Sequence, residues 1–453
     1  LWSVDLGHGH QEFCKVSNCR ISGGAQIGAN NNEISDNVFT EIDGEVETGA
    51  IVLSETKTAE VTILRNKFYL YNYGVLTASE STYDAFNANT EIGGTIRFND
   101  NEIYDRHEAS KTYLTFTNRG CMEPIDVEII GNVQREKPSG SFQNRLFGLQ
   151  KTVTSPVNPG FQNLTVSDNK LIDGALCVYC TDWENLYVKN NEIRLPQNNI
   201  APFNITDGNG GEAFVEHNKI IGYGALSTLS GKSGDRLSEV RLTANTITGG
   251  TFAACLTVLY VDNFSSFGNV LGSRDVTTVP LNILTSVFDV NIDCDVYMGG
   301  WPVFHGSGAG LESAEFTVIK KVLLTTPATS FTLFTVPPNC FYYPVSAVGR
   351  ADTDVTATNG NYFGVGVDAT SRRVDFGVSA AAAASSKHDQ NVILQYISLP
   401  TSANAAVSGG EILKLMSVTS SADGAALGSV MGAADQSITL NVKARMIGKF
   451  RSA

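Results

Sequence analysis

Six carboxylates in the middle of the chain fall into three pairs: Asp182 and Glu184, Asp207 and Glu212, Asp235 and Glu239. The first member of each pair recurs after 25 and then 28 residues. Among them Tyr187, Phe214 and Arg241 recur every 27 residues, and Lys189 and Glu216 each lie two residues beyond an aromatic. Two carboxylates held roughly 5 Å apart suit retaining glycoside hydrolysis, and roughly 6.5–9.5 Å suits inversion. One would act as the acid, its pKa raised by a like-charged neighbour, and the other as base. Aromatic rings suit sugar faces, and charged side chains suit hydroxyls or uronates. The same residues have plainer readings. Loop Asp and Glu keep a surface soluble and start turns, and outward aromatics also build subunit interfaces.

The elements that would position these residues repeat along the chain. Aligned on the Asn that ends a short strand, the repeat places Asn18, Asn37, Asn66, Asn101, Asn132, Asn169, Asn191, Asn218, Asn245 and Asn269 at spacings of 19 to 37 residues. Alternating stretches precede the Asn, as in Leu186-Tyr-Val-Lys-Asn-Asn191 and Val240-Arg-Leu-Thr-Ala-Asn245. Period-2 alternation over five or six residues is a half-buried strand. An apolar residue follows two positions after most of the Asn residues; Ile21 comes one late. Asn tolerates a left-handed backbone and bonds its own neighbourhood, so it turns the chain sharply. The repeat predicts a parallel β-helix, with three short strands per turn and rungs stacked at roughly 4.8 Å. Asn side chains would then align and bond to each other at a buried corner. The spacings vary because one corner carries loops of free length.

The alternation assigns faces. Counting back from the Asn, positions −3 and −5 point inward: Val166 and Leu164, Val188 and Leu186, Leu242 and Val240. Position −4 points outward and carries Glu33, Thr62, Arg97, Glu128, Thr165, Tyr187, Phe214 and Arg241. Position −2, also outward, carries Ser35, Leu64, Asn99, Ile130, Ser167, Lys189, Glu216 and Thr243. Tyr187, Phe214 and Arg241 therefore stack on one exposed face, which is either a ligand groove or an interface. Tyr187, Phe214, Arg241, Lys189 and Arg97 are the expected substrate contacts. Glu216, on a strand and so held more rigidly than a loop residue, is the first catalytic candidate. Asp182, Glu184 and Asp207 join it from the corner loops.

The net charge of −14 argues against nucleic acid or an anionic membrane as partner. No apolar run reaches the roughly 20 residues of a membrane span, so no membrane insertion is expected. Cys177 and Cys180 have a metal-like spacing, but residues i and i+3 of a strand face opposite ways. Buried free thiols are the better reading. His8 and His10 are read as surface histidines. No metal or cofactor is expected. The Asn repeat spans 1–298. Residues 299–314 read as a Gly-rich linker, and 315–453 as a β-sandwich of longer strands.

A parallel β-helix followed by a small β-sandwich resembles the tailspikes and tail fibres of tailed bacteriophages. The resemblance is architectural and covers nearly the whole chain. It implies a homotrimer on the virion, outside the cell, that binds bacterial surface polysaccharide and in many cases depolymerises it. It implies attachment to the phage tail or baseplate through a segment preceding Leu1. It also implies a C-terminal domain that trimerises or binds sugar. A structural or adhesive fibre without turnover, and a secreted monomeric polysaccharide lyase or hydrolase, stand beside it. The calcium-binding Asp cluster and catalytic Arg of the pectate lyases, which share the β-helix, are not recognisable here.

Overall fold

The computed structural model describes residues 3–6, 13–22, 24–27, 31–40, 50–53, 60–70, 76–78, 94–105, 112–118, 125–136, 145–151, 161–172, 183–195, 204–222, 227–249, 254–273, 279–305, 310–324, 330–338, 340–352, 355–356, 362–367, 373–377, 387–388, 393–398, 407–418 and 436–448. Cys177, Cys180, His8 and His10 lie outside them. Among the described residues no helix is long and apolar enough to cross a membrane. Two compact units form: residues 1–247 with 260–262, and 248–259 with 263–453.

The first unit is a parallel β-helix. Strands before the Asn, from Cys14–Ser17 through Leu237–Thr243, make a leading sheet. Strands after it make a trailing sheet, from Arg20–Ser22 through Lys219–Gly222. A third sheet stacks Ser3–Leu6, Gly24–Ile27, Ile51–Leu53, Leu76–Ala78, Thr112–Asn118 and Arg145–Lys151. Side chains at −3 and −5 are buried as expected, Leu186, Val188, Val240 and Leu242 among them. Ile21, Phe39, Phe68, Ile103, Leu171, Ile193, Ile220 and Ile247 are buried beyond the corner. Phe39, Phe68 and Phe98 stack in the interior, with ring centroids 4.9 and 5.9 Å apart.

The corner asparagines form one continuous hydrogen-bonded ladder. Asn191 is typical. Its Oδ1 accepts from the backbone N–H and the Nδ2 of Asn169, at 3.1 and 3.0 Å. Its own Nδ2 donates to Val166 O and to Asn218 Oδ1, both at 2.9 Å. The pattern runs from Asn37 to Asn245 with each Asn no more than 1% exposed. The amide uses both donors and accepts twice, which makes a buried polar side chain tolerable.

Two details correct the sequence alignment. The left-handed residue is the one before the ladder Asn: Asp36, Arg65, Asp100, Asp168, Asn190, His217 and Ala244 have φ of 51–59°. Asn18 is itself such a residue, at φ 58°, so Cys19 takes the ladder position and donates its N–H to Asn37 Oδ1. That is why Ile21 falls one residue late.

The second unit continues a ladder of its own and then changes character. Asn269 donates its N–H and Nδ2 to Asp295 Oδ1 at 2.8 and 3.1 Å, so a carboxylate ends the row. Ser266 Oγ and, at 3.0 Å, Tyr297 OH donate to its other oxygen. Burial pushes the Asp295 carboxyl up, although these four bonds pull it down. A carboxyl raised in the folded state keeps its proton where the unfolded chain has lost it, so stability falls as pH rises above the unfolded value of about 3.9. Asp295→Asn keeps both acceptances from Asn269 and removes the buried charge. The variant is expected to melt above the parent at neutral pH, with the gap closing near pH 4. Thermal scans at both pH values check this, and equal melting at neutral pH would show that the carboxyl is not penalised.

Of the stretch 299–314, the described residues 299–305 and 310–314 contribute strand and core residues. Val303–Phe304 pairs in parallel with Val279–Ile283. Trp301 is buried, stacks on Phe334 at 5.8 Å and donates Nε1–H to Tyr342 OH at 3.1 Å. Strand Gly310–Leu323 begins inside the stretch and runs parallel to Val287–Met298. On its other edge it pairs antiparallel with Ser437–Gly448, which also pairs antiparallel with Cys340–Ala351. A second antiparallel set joins Ser330–Thr335, Ile412–Val418, Tyr362–Gly366 and Arg373–Gly377. Phe334 of this set packs 6.1 Å from Tyr342 of the first. Among the cysteines whose side chains are described, Cys340 is buried, Cys14 and Cys19 are half-buried and Cys294 is exposed. Cys177 and Cys180, read as buried thiols, are not among them.

Candidate functional site

The site lies on the leading sheet of the first unit. Three adjacent strands, Trp183–Lys189, Glu212–Glu216 and Leu237–Thr243, stack without a register shift. Tyr187 pairs with Phe214 and Phe214 with Arg241, so all three fall in one outward row. The two ring centroids are 5.7 Å apart, and the Arg241 guanidinium lies 5.0 Å over the Phe214 ring. Phe214 thus has a neighbour on each side, and a ligand meets an apolar strip with Tyr187 at one end. Lys189 Nζ stands 5.7 Å from the Tyr187 ring and 2.9 Å from Glu216 Oε2. Arg241 Nη2 donates to Glu239 Oε1 at 2.6 Å.

Further down the same row the chemistry changes. Arg97 is three rungs from Tyr187, through Glu128 and Thr165, which is about 14 Å at the strand spacing. It pairs with Glu60 at 2.9 Å and Glu128 at 3.3 Å. The structure therefore sets Arg97 in an ion-pair row and apart from the aromatic strip.

The carboxylates also separate. Glu216 has Lys189 and Thr243 as its in-register neighbours and no carboxylate beside it. Glu184 is exposed at the start of its strand, where two consecutive uncovered residues break the alternation. Asp182 lies outside the described residues. Asp207 falls within strand Asn204–Gly208, but its side chain lies outside the description.

One pairing differs from those read in the sequence, where Glu212 and Glu239 belonged to different pairs. Glu212 and Glu239 are strand residues, directly paired in register one rung apart. Both are half-buried on the outward side, next to Phe214 and Arg241. Gly211 makes this possible: a Cβ there would meet the Glu184 carbonyl oxygen at 1.7 Å. Ser238 holds the next rung by donating its N–H and Oγ to Gly211 O, at 2.9 and 3.0 Å. The signal was present. Extending the alternation to position −6 gives Asn163, Asn185, Glu212 and Glu239. The first two are already linked, with Asn185 Nδ2 donating to Asn163 Oδ1 at 3.1 Å.

A second aromatic pair lies on the trailing sheet. Tyr69 and Tyr104 stack at 4.5 Å. Tyr104 OH donates to Glu102 at 2.9 Å, and that bond pushes its phenol up to about 12. Lys67 and Arg135 also hold Glu102, so this cluster is closed on itself. Among the described residues no group of three or more His, Cys, Asp or Glu stands ready to hold a metal ion.

No family model and no curated protein matches the chain. Solved structures similar to it include a tailspike protein of Acinetobacter baumannii bacteriophage Fri1, a capsular polysaccharide depolymerase. That likeness has 12% identity and a TM-score of 0.29, covering 97% of this chain and 80% of that one. The tailspike protein of Acinetobacter baumannii phage AM24 has 12% identity and a TM-score of 0.25, covering 96% and 78%. The enzymatically active domain of tailspike protein 4 of bacteriophage CBA120 has 9% identity and a TM-score of 0.19, covering 95% and 64%. At these values neither residue roles nor activity transfer.

Proposed function

We propose that this chain is a receptor-binding protein of the tailspike kind, carried on a phage virion, and that it binds a bacterial surface polysaccharide along the strip of Tyr187, Phe214 and Arg241. The observation that carries the reading is the unbroken register of these three residues on an outward face. Elsewhere in the row solvent is met by Thr62, Thr165 and ion pairs. Rings kept half-exposed at adjacent rungs have a purpose that solubility does not supply. The strip is flanked on both sides by charged side chains. Interface cores are depleted in charge, so the flanks favour a wet polar groove over a subunit contact.

Tyr187→Ala and Phe214→Ala test it. Each is expected to weaken binding of the cognate polysaccharide about 10-fold or more, the cost of a buried aromatic contact, with the oligomer mass unchanged. Light scattering of the parent is expected at three times the 48.5 kDa monomer. Variants that bind as before but fall to monomers would make this strip the subunit interface.

The register of Glu212 with Glu239 favours a second reading, in which the same groove cleaves its glycan. Paired Cα positions one rung apart place the two side chains about 5 Å from each other at the backbone, near the retaining separation.

A further inference from the structure

We infer that the segment of glycan lying on Phe214 carries no acidic substituent and presents hydroxyl or amine donors to Glu212. This deepens the groove reading above and rests on it. Around the strip stand two cations, Lys189 and Arg241, and three carboxylates, Glu212, Glu216 and Glu239. Both cations are committed: Lys189 to Glu216 at 2.9 Å and Arg241 to Glu239 at 2.6 Å. The Glu212 carboxylate forms no ion pair or hydrogen bond among the described residues, and its in-register neighbour is Glu239, a like charge.

A carboxylate only accepts hydrogen bonds. What the groove offers a ligand at this rung is therefore an apolar strip beside an unspent acceptor. A sugar hydroxyl or an ammonium group satisfies that acceptor. A uronate, phosphate or sulfate would face the unpaired Glu212 and would have to share Lys189 or Arg241 with the carboxylate each already holds. The whole chain adds to this, since a net charge of −14 repels a polyanion before contact. Uronate recognition, one of the two roles the sequence suggested for these charged residues, thus gives way to hydroxyl or amine recognition.

The test is a panel of bacterial capsular and O-antigen polysaccharides of known composition, grouped as neutral, amine-bearing and uronate-bearing. Binding is measured at low and high ionic strength. The parent is expected to bind a neutral or amine-bearing member best. Glu212→Gln is expected to weaken that binding about 10-fold or more, as for a charge-assisted hydrogen bond. A uronate-bearing member that binds best, and binds Glu212→Gln more tightly than the parent, overturns the charge inference and leaves the groove standing. Tyr187→Ala and Phe214→Ala variants that bind every member like the parent overturn the groove itself. A panel in which nothing binds counts against both.

Discussion

On a polysaccharide that the parent degrades, Glu212→Gln and Glu239→Gln are each expected to lower turnover by at least about 10²-fold, the scale of a lost general acid or base. Each exchange keeps shape and removes a charge. Binding to Glu239→Gln is expected to persist, because Arg241 still stacks over Phe214. Glu216→Gln is the internal comparison. Its carboxylate is held by Lys189 and has no acidic neighbour in register, so its loss is expected to matter less. A reducing-end assay on single variants reads all three. If Glu216→Gln alone abolishes turnover, the acid–base pair must be sought around that residue and not at Glu212 and Glu239. If the parent degrades nothing that it binds, the groove only adheres.

Asn191→Leu is expected to destabilise the first unit by about 2–6 kcal/mol. Leu fills a similar volume, but four side-chain hydrogen bonds disappear. Val166 O and the Asn169 N–H are then left buried without their partners, and each orphan costs about 1–3 kcal/mol. Asn190→Gly, one residue earlier, separates ladder from turn. Asn190 carries the left-handed φ of 55°, which Gly adopts freely. That variant is expected to move stability by less than about 1 kcal/mol. Denaturant melts of the two proteins compare them directly, and equal midpoints would mean that the ladder contributes nothing beyond the turn.

The coil was legible because its signals are local. Alternation at Leu186, Val188, Val240 and Leu242 sets one face, and a recurring Asn sets the corner. The alignment slipped at Asn18 because two adjacent corner positions both favour Asn, as Asn190 and Asn191 show. Strand Cys340–Ala351 is hard to read in the sequence because Pro344 and Gly349 interrupt it. The register does shift at Pro344, as a residue without an N–H requires. Glu212 and Glu239 were read as loop residues because Gly210-Gly211 before one and Ser238 before the other look like punctuation. Only the stacked register shows that Glu212 opens its strand and that Glu239 lies beside it inside Leu237–Thr243. Ser35 and Ser167 were expected to face outward and are buried. A short side chain is covered by taller neighbours, and Ser35 Oγ donates to Glu33 at 2.8 Å.

A stack of parallel strands has an end problem, because its last strand offers a free edge on which further chains can grow. In the second unit the strand Gly310–Leu323 answers it. It takes the last parallel place beside Val287–Met298 and gives its other edge to an antiparallel partner, Ser437–Gly448. A strand running in the opposite direction is a poor template for another turn of the coil. The reversal therefore works as a chain terminator for the fold, halting fibre-like growth at the point where the repeat itself runs out.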